Sequence, residues 1–273
     1  MKTSSIKKYT SQTRSIGSKL WTPRFLPYLI AWYSFRQYKD QTGNPEFCYD
    51  FSGKNLGVTF RQPTLNNRPA IGGPSSDVFP NSKHLTFTGV FSERFLLDST
   101  PTDALDIKTG DFIFCCGIHA GTVSTNNTII SLQRENNDEE IRIFLSNTGV
   151  LTAKFGDGDV AVASEVDDGN PHVVTVTRIN GKLQAFVDGV GGTEKDNTVD
   201  IDNDVNMVLG ALNSSGGQEF NGDIAEVCIG GTRKLGAIKT KDRIRLEGFV
   251  ANRLGISSVL SDTHNYKVAP PKK

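Results

Sequence analysis

The chain has 273 residues, 37% of them hydrophobic, which is enough for one large β-sandwich with an arm or for two small domains, and enough to bury a core; a disordered chain is excluded. Lys and Arg together number 30, as do Asp and Glu, so net charge points to no nucleic-acid partner. The charge is unevenly spread: residues 1–39 hold eight basic residues and no acidic one, whereas residues 156–204 hold eleven acidic and three basic ones. A solvated tail with acidic loops accounts for this, and so does an arm that docks on an acidic partner such as a neighbouring copy.

Taken in order, residues 1–20 read as a basic N-terminal arm rich in Ser, Thr and Lys. The polar start lacks the apolar run of a secretory signal, and the aromatic-dense segment 21–35 is broken by Pro23, Arg24 and Pro27, too short to span a bilayer. That segment is expected to lie extended against the fold. Residues 40–84, rich in Gly, Pro and Asn, read as loop with one or two short strands. From Leu85 the pattern becomes strand-like. Asp111–His119 is a continuous apolar run, as in a strand buried on both faces. Ile141–Ser146 alternates, Asn147-Thr148-Gly149 turns, and Leu151, Ala153 and Phe155 alternate back, which makes a hairpin. A stronger hairpin follows, with HVVTVTRI and KLQAFVD joined by Asn180-Gly181, because both turn residues must tolerate positive φ. VNMVLG and FNGDIAEVCIG add two more strands. Such short strands divided by turn chemistry specify an all-β sandwich rather than βαβ units.

One helix is predicted over 241–254, with Thr240 as N-cap, Leu246, Phe249, Val250 and Leu254 as a single apolar stripe, and Gly255 at the C′ position. The cysteines, Cys48, Cys115, Cys116 and Cys228, show no C-x-x-C spacing; Cys115 and Cys116 point to opposite sheet faces, so buried free thiols in a reducing compartment are expected.

HVVTVTRINGKLQAFVDG resembles the central hairpin of laminin-G-like, concanavalin A-like jelly-roll domains, and FNGDIAEVCI resembles a later strand of that family. Pro171 stands where the family often has Trp. RIRLEGFVANRLGI with LSDTHNYKVAPP, and at the other end LWTPRFLPYLIAWYSF with YDFSGKNLGVTFRQPTLNNRPAI, are similar to segments common in bacteriophage virion proteins of this fold; Leu254 replaces a Trp of that pattern. The resemblance implies an antiparallel jelly-roll sandwich over residues 21–271, with a C-terminal helix, an extended arm and a short tail at 272–273. It further implies a non-enzymatic virion structural protein: a capsid decoration, fibre or tail-associated component, made in the host cytoplasm without a signal peptide. The expected partners are other virion proteins and further copies of the chain, with no membrane span. Docking would use Lys7, Lys8, Arg14, Lys19, Trp21 and Trp32. The alternative is a lectin that adheres to host-surface polysaccharide, and the third reading is a glycan hydrolase.

Glycoside hydrolysis needs two carboxylates about 5–9.5 Å apart, which Glu-x-Asp-x-Glu on one strand supplies because i and i+2 share a face. Glu135–Glu140 has the acids without the spacing; Asp200, Asp202 and Asp204 alternate without a Glu, in a polar connector. No catalytic residue is therefore assigned. No cofactor is expected; Ca²⁺ is the cation that Asp157, Asp159, Asp200, Asp202 and Asp204 would suit, although Asp-Gly pairs are also ordinary turn chemistry. His84, His119, His172 and His264 show no metal-ligand spacing, and His119 and His172 read as satisfied sheet residues. Trp21, Trp32, Tyr28 and Tyr33 read as core or interface anchors rather than sugar platforms.

Overall fold

A computed structural model describes residues 20–35, 43–54, 56, 58–75, 77–89, 93–97, 106–134, 139–156, 158–201 and 205–273. Lys7, Lys8, Arg14 and Lys19 of the arm lie outside the described residues. Two antiparallel sheets form a sandwich. The nine-stranded sheet runs Val190–Gly191, Lys182–Val187, Pro171–Ile179, Asp111–Ala120, Asn221–Thr232, His84–Thr88, Ala70–Gly72, with Leu29–Tyr33 also paired to Asn221–Thr232 and Lys195–Asp196 to Lys182–Val187. The eight-stranded sheet runs Gly158–Glu165, Val150–Phe155, Glu139–Leu145, Asn127–Arg134, Val205–Leu209, Phe95–Leu97, Phe60–Arg61, Phe47–Cys48. Non-sequential neighbours, such as Asp111–Ala120 beside Asn221–Thr232, give the jelly-roll connectivity.

The core fills the space between the sheets, where period-two alternation sends every second side chain. Phe112 meets Phe155 edge to face across the sandwich at 5.5 Å, and Ile141, Ile143, Leu151 and Ala153 are buried beside them. The Asn180-Gly181 hairpin forms as its sequence dictates, with φ of 54° and 72°. A buried carboxylate fixes it: Asp111 accepts the Asn180 amide (2.9 Å) through one oxygen and the Ile238 amide (2.9 Å) through the other. Arg178, fully buried, donates to the carbonyls of Gly110, Val199 and Lys108. Burial lowers its pKa to about 10, and those carbonyls satisfy its donors.

Asp111–Ala120 is buried on both faces because the other side of its sheet is roofed by the helix Thr240–Leu254. The roof is close: a Cβ on Gly117 would stand 2.1 Å from Leu254 Cδ1. The helix starts one residue earlier than the stripe suggests. Lys239 is the N-cap rather than Thr240, and its amide donates to Asp242 (3.1 Å). Gly255 closes the other end at φ 85°, its amide donating to Ala251 O.

The segment 21–35 is more than a packed extension: Leu29–Tyr33 is a strand, registered so that Trp32 lies opposite Cys228. Trp21 and Trp32 are buried and meet Phe249 of the helix edge to face, at 6.0 and 5.5 Å, so the structure places both in the chain's own interior. Tyr28 and Tyr33 are buried as well. The four cysteines are free and buried; Cys115 faces the helix with Cys228 opposite it, while Cys116 faces the core. Among the described residues of the stretch before His84, three short strands form, Phe47–Cys48, Phe60–Arg61 and Ala70–Gly72.

Candidate functional site

Among the described residues, no helix roofs the eight-stranded sheet. The register places Phe47, Arg61, Leu96, Val208, Ser131, Arg142 and Lys154 in one row across seven strands, on the face turned away from the core. The loop 211–219 lies over the middle of this row. Ser131 Oγ donates to the carbonyls of Ala211 (3.2 Å) and Leu212 (2.7 Å), and Arg94 donates to that of Ser214 (2.9 Å). Arg142 donates to Thr128 Oγ1 (3.1 Å) and to Gln218, and its guanidinium lies 4.1 Å over the ring of Phe144. The half-exposed Phe144 thus has one face taken by a cation.

At the sheet edge the arrangement differs. Phe47 opens the two-residue strand Phe47–Cys48 and Tyr49 follows directly after it, with the two rings lying side by side. Their planes are 17° from parallel with centroids 5.8 Å apart, and Tyr49 is half exposed. Glu46 joins two guanidinium groups beside them: Arg61 at 3.0 Å through one oxygen and Arg68 at 3.1 Å through the other. Arg61 also lies 5.3 Å from the Phe47 ring, and Arg68 is anchored by the carbonyls of Gln62 (2.6 Å) and Pro63 (2.8 Å). Two near-parallel rings present an apolar surface, and beside them the Glu46 carboxylate offers acceptors and the two arginines that bridge it offer donors. This is the chemistry that fits a pyranose, whose C–H face lies on an aromatic ring while its hydroxyls hydrogen-bond sideways.

Reasoning from the sequence misses this edge; the alternation of Phe47 and Tyr49 after Glu46 is the one local signal of it, inside a stretch that reads as loop. The Ca²⁺ candidates are not gathered among the described residues. Asp200 is exposed, with Lys108 Nζ at 3.8 Å, and Asp159 occupies a ladder position opposite Lys154. Asp157, Asp202 and Asp204 lie outside the described residues. Among the described residues no group of three or more His, Cys, Asp or Glu side chains stands ready to hold a metal ion, and no helix is long and apolar enough to cross a membrane.

A family model of the concanavalin A-like lectin/glucanases superfamily matches residues 99–233. No curated protein matches the chain. Among solved structures, a Trypanosoma rangeli sialidase in complex with sialic acid superposes with a TM-score of 0.57 at 14% identity, over 87% of this chain and 35% of that one. The binding domain of botulinum neurotoxin DC, in complex with rat synaptotagmin II, gives 0.53 at 14%, over 85% and 52%. A Ruminococcus gnavus IT-sialidase CBM40 bound to α2,6 sialyllactose gives 0.47 at 13%, over 60% and 96%. This chain therefore spans about a third of the sialidase it matches. The antiparallel two-sheet sandwich with a C-terminal helix expected from the sequence is the fold it has. The expected virion structural role is corrected: residues 99–233 match a lectin/glucanase superfamily model, and the superposed structures are a sialidase and a toxin binding domain.

Proposed function

We propose that the chain is a non-catalytic carbohydrate-binding module, a single sandwich over residues 21–271 that holds a glycan against the open side of its eight-stranded sheet. The observation that carries this reading is the near-parallel Phe47–Tyr49 pair, Tyr49 half exposed and Phe47 partly buried, with Glu46 clamped between Arg61 and Arg68. The rings supply stacking area at low entropic cost, and the clamped carboxylate supplies pre-positioned hydrogen bonding. The superfamily match agrees in class.

A glycan array probed with the purified chain, with and without Ca²⁺, tests the reading. Binding to a defined glycan is expected, and Phe47→Ala and Tyr49→Ala should each weaken it by about tenfold or more while the thermal midpoint stays unchanged. Binding to no glycan, or full binding by both variants, overturns it. Repeating the assay without Ca²⁺ decides whether the aspartates of the 157–204 region take part.

A further inference from the structure

At the end of the sandwich where the strand Pro171–Ile179 begins, two loops and a turn are tied together by hydrogen bonds. The loop 166–170 is fixed to its neighbours by Val166 N donating to Gly149 O (2.9 Å) and by Val123 N donating to Asp167 Oδ2 (3.1 Å). It is fixed to the strand through His172. The Nε2 of His172 stands 3.0 Å from Asp168 Oδ1, and its Nδ1 stands 2.7 Å from Asp188 Oδ2. Asp188 in turn accepts the Val173 amide (2.8 Å) and offers its own carbonyl to the amide of Ser261 (3.0 Å). His172 is therefore the link between loop 166–170, the end of Lys182–Val187 and the C-terminal segment.

A neutral imidazole carries one N–H and one lone pair. Both ring nitrogens of His172 face carboxylate oxygens, which only accept. Both contacts are hydrogen bonds only when the ring is imidazolium. His84 on the same sheet shows the opposite arrangement: its Nε2 faces Asp223 (3.3 Å) while its buried Nδ1 has no hydrogen-bond partner among the described residues, as suits a neutral ring.

We infer that His172 is a pH-operated latch, closed on Asp168 and Asp188 when protonated and releasing loop 166–170 when it loses its proton. The Asp188 contact is the shorter and less exposed, so the single N–H of the neutral ring stays there and the Asp168 contact is lost. The charged groups that face the ring are Asp168, Asp188 and, farther off, His119, itself paired with Asp223 (3.1 Å). Burial alone would lower the His172 pKa, but the hydrogen bonds and charges of Asp188 and Asp168 raise it above its ordinary value. Asp168, despite the opposing effect of partial burial, is held at about 2 by Asn170 and His172, so it remains ionised throughout.

Amide hydrogen exchange of the intact chain from pH 5.5 to 9, corrected for intrinsic rates, with an NMR titration of the His172 ring, tests the latch. Protection of residues 166–170 and of Val123 is expected to fall as His172 deprotonates at a pH above that of a free histidine, and Asp168→Asn should remove that pH dependence while the Asn180-Gly181 hairpin stays protected. A His172 ring already neutral at pH 5.5, or loop protection that follows the same pH course in Asp168→Asn, overturns it.

Discussion

The two outer faces of the sandwich handle charge in opposite ways. On the nine-stranded sheet, the helical roof, with the strand Leu29–Tyr33 beneath it, encloses carboxylates completely. Glu247 is fully buried, bound by Arg243 at 2.7 Å through both oxygens and by His264 at 3.2 Å. Glu226 is also fully buried, accepting from Trp32 Nε1 (2.9 Å), Ser34 Oγ (2.7 Å) and Arg253 (3.3 Å), and it sits at φ 49° in a bulge of Asn221–Thr232. On the eight-stranded sheet, Glu46 makes its two arginine contacts within reach of water. Water makes the difference: an enclosed carboxylate that loses a partner leaves a desolvated charge, whereas an exposed one is resolvated. The roofed face is thus built for rigidity, and the open face keeps its bridged carboxylate in contact with water.

Removing Glu247 is the most direct way to break this contrast. Glu247→Ala leaves Arg243 and His264 facing each other under the helix and should cost about 3–5 kcal/mol in denaturant unfolding. Gly117→Ala forces a methyl into the space of Leu254 and should cost about 1–3 kcal/mol, rescued in part by Leu254→Ala. Glu46→Ala, on the open face, should change stability by at most about 1 kcal/mol while weakening glycan binding. If Glu46→Ala destabilised the fold as much as Glu247→Ala, the contrast between the faces would fail. The smallest effect is that of the latch. A histidine whose folded pKa is raised contributes stability that is fully present below its unfolded value of about 6.5 and is lost as pH rises through the folded value. His172→Gln should flatten that part of the pH–stability profile.

Particular residues show where the fold was readable. Asn180-Gly181 announces its hairpin because positive φ is a local demand, met by residue type alone. The helix was readable from its stripe and from Gly255, and its N-cap slipped by one residue because the Asp242 side chain, three residues into the helix, reaches back to Lys239 rather than to Thr240. Leu29–Tyr33 was not readable as a strand, since its ladder partner lies about two hundred residues away in sequence, at Val227–Gly230. The Phe47–Tyr49 edge was hidden for a related reason: a two-residue strand has no periodicity of its own.

By itself, then, the sequence determined the all-β class, the hairpins, the helix and its closing glycine, and the burial of the four cysteines, all of which follow from turn chemistry and from the alternation of apolar residues over short distances. Tertiary structure alone decided which sheet face is roofed, which carboxylates are enclosed, that the rings of Phe47 and Tyr49 stand near-parallel beside a bridged Glu46, and that His172 lies between two aspartates. These depend on contacts between segments far apart in the chain, and no local pattern of residue types encodes such a distance.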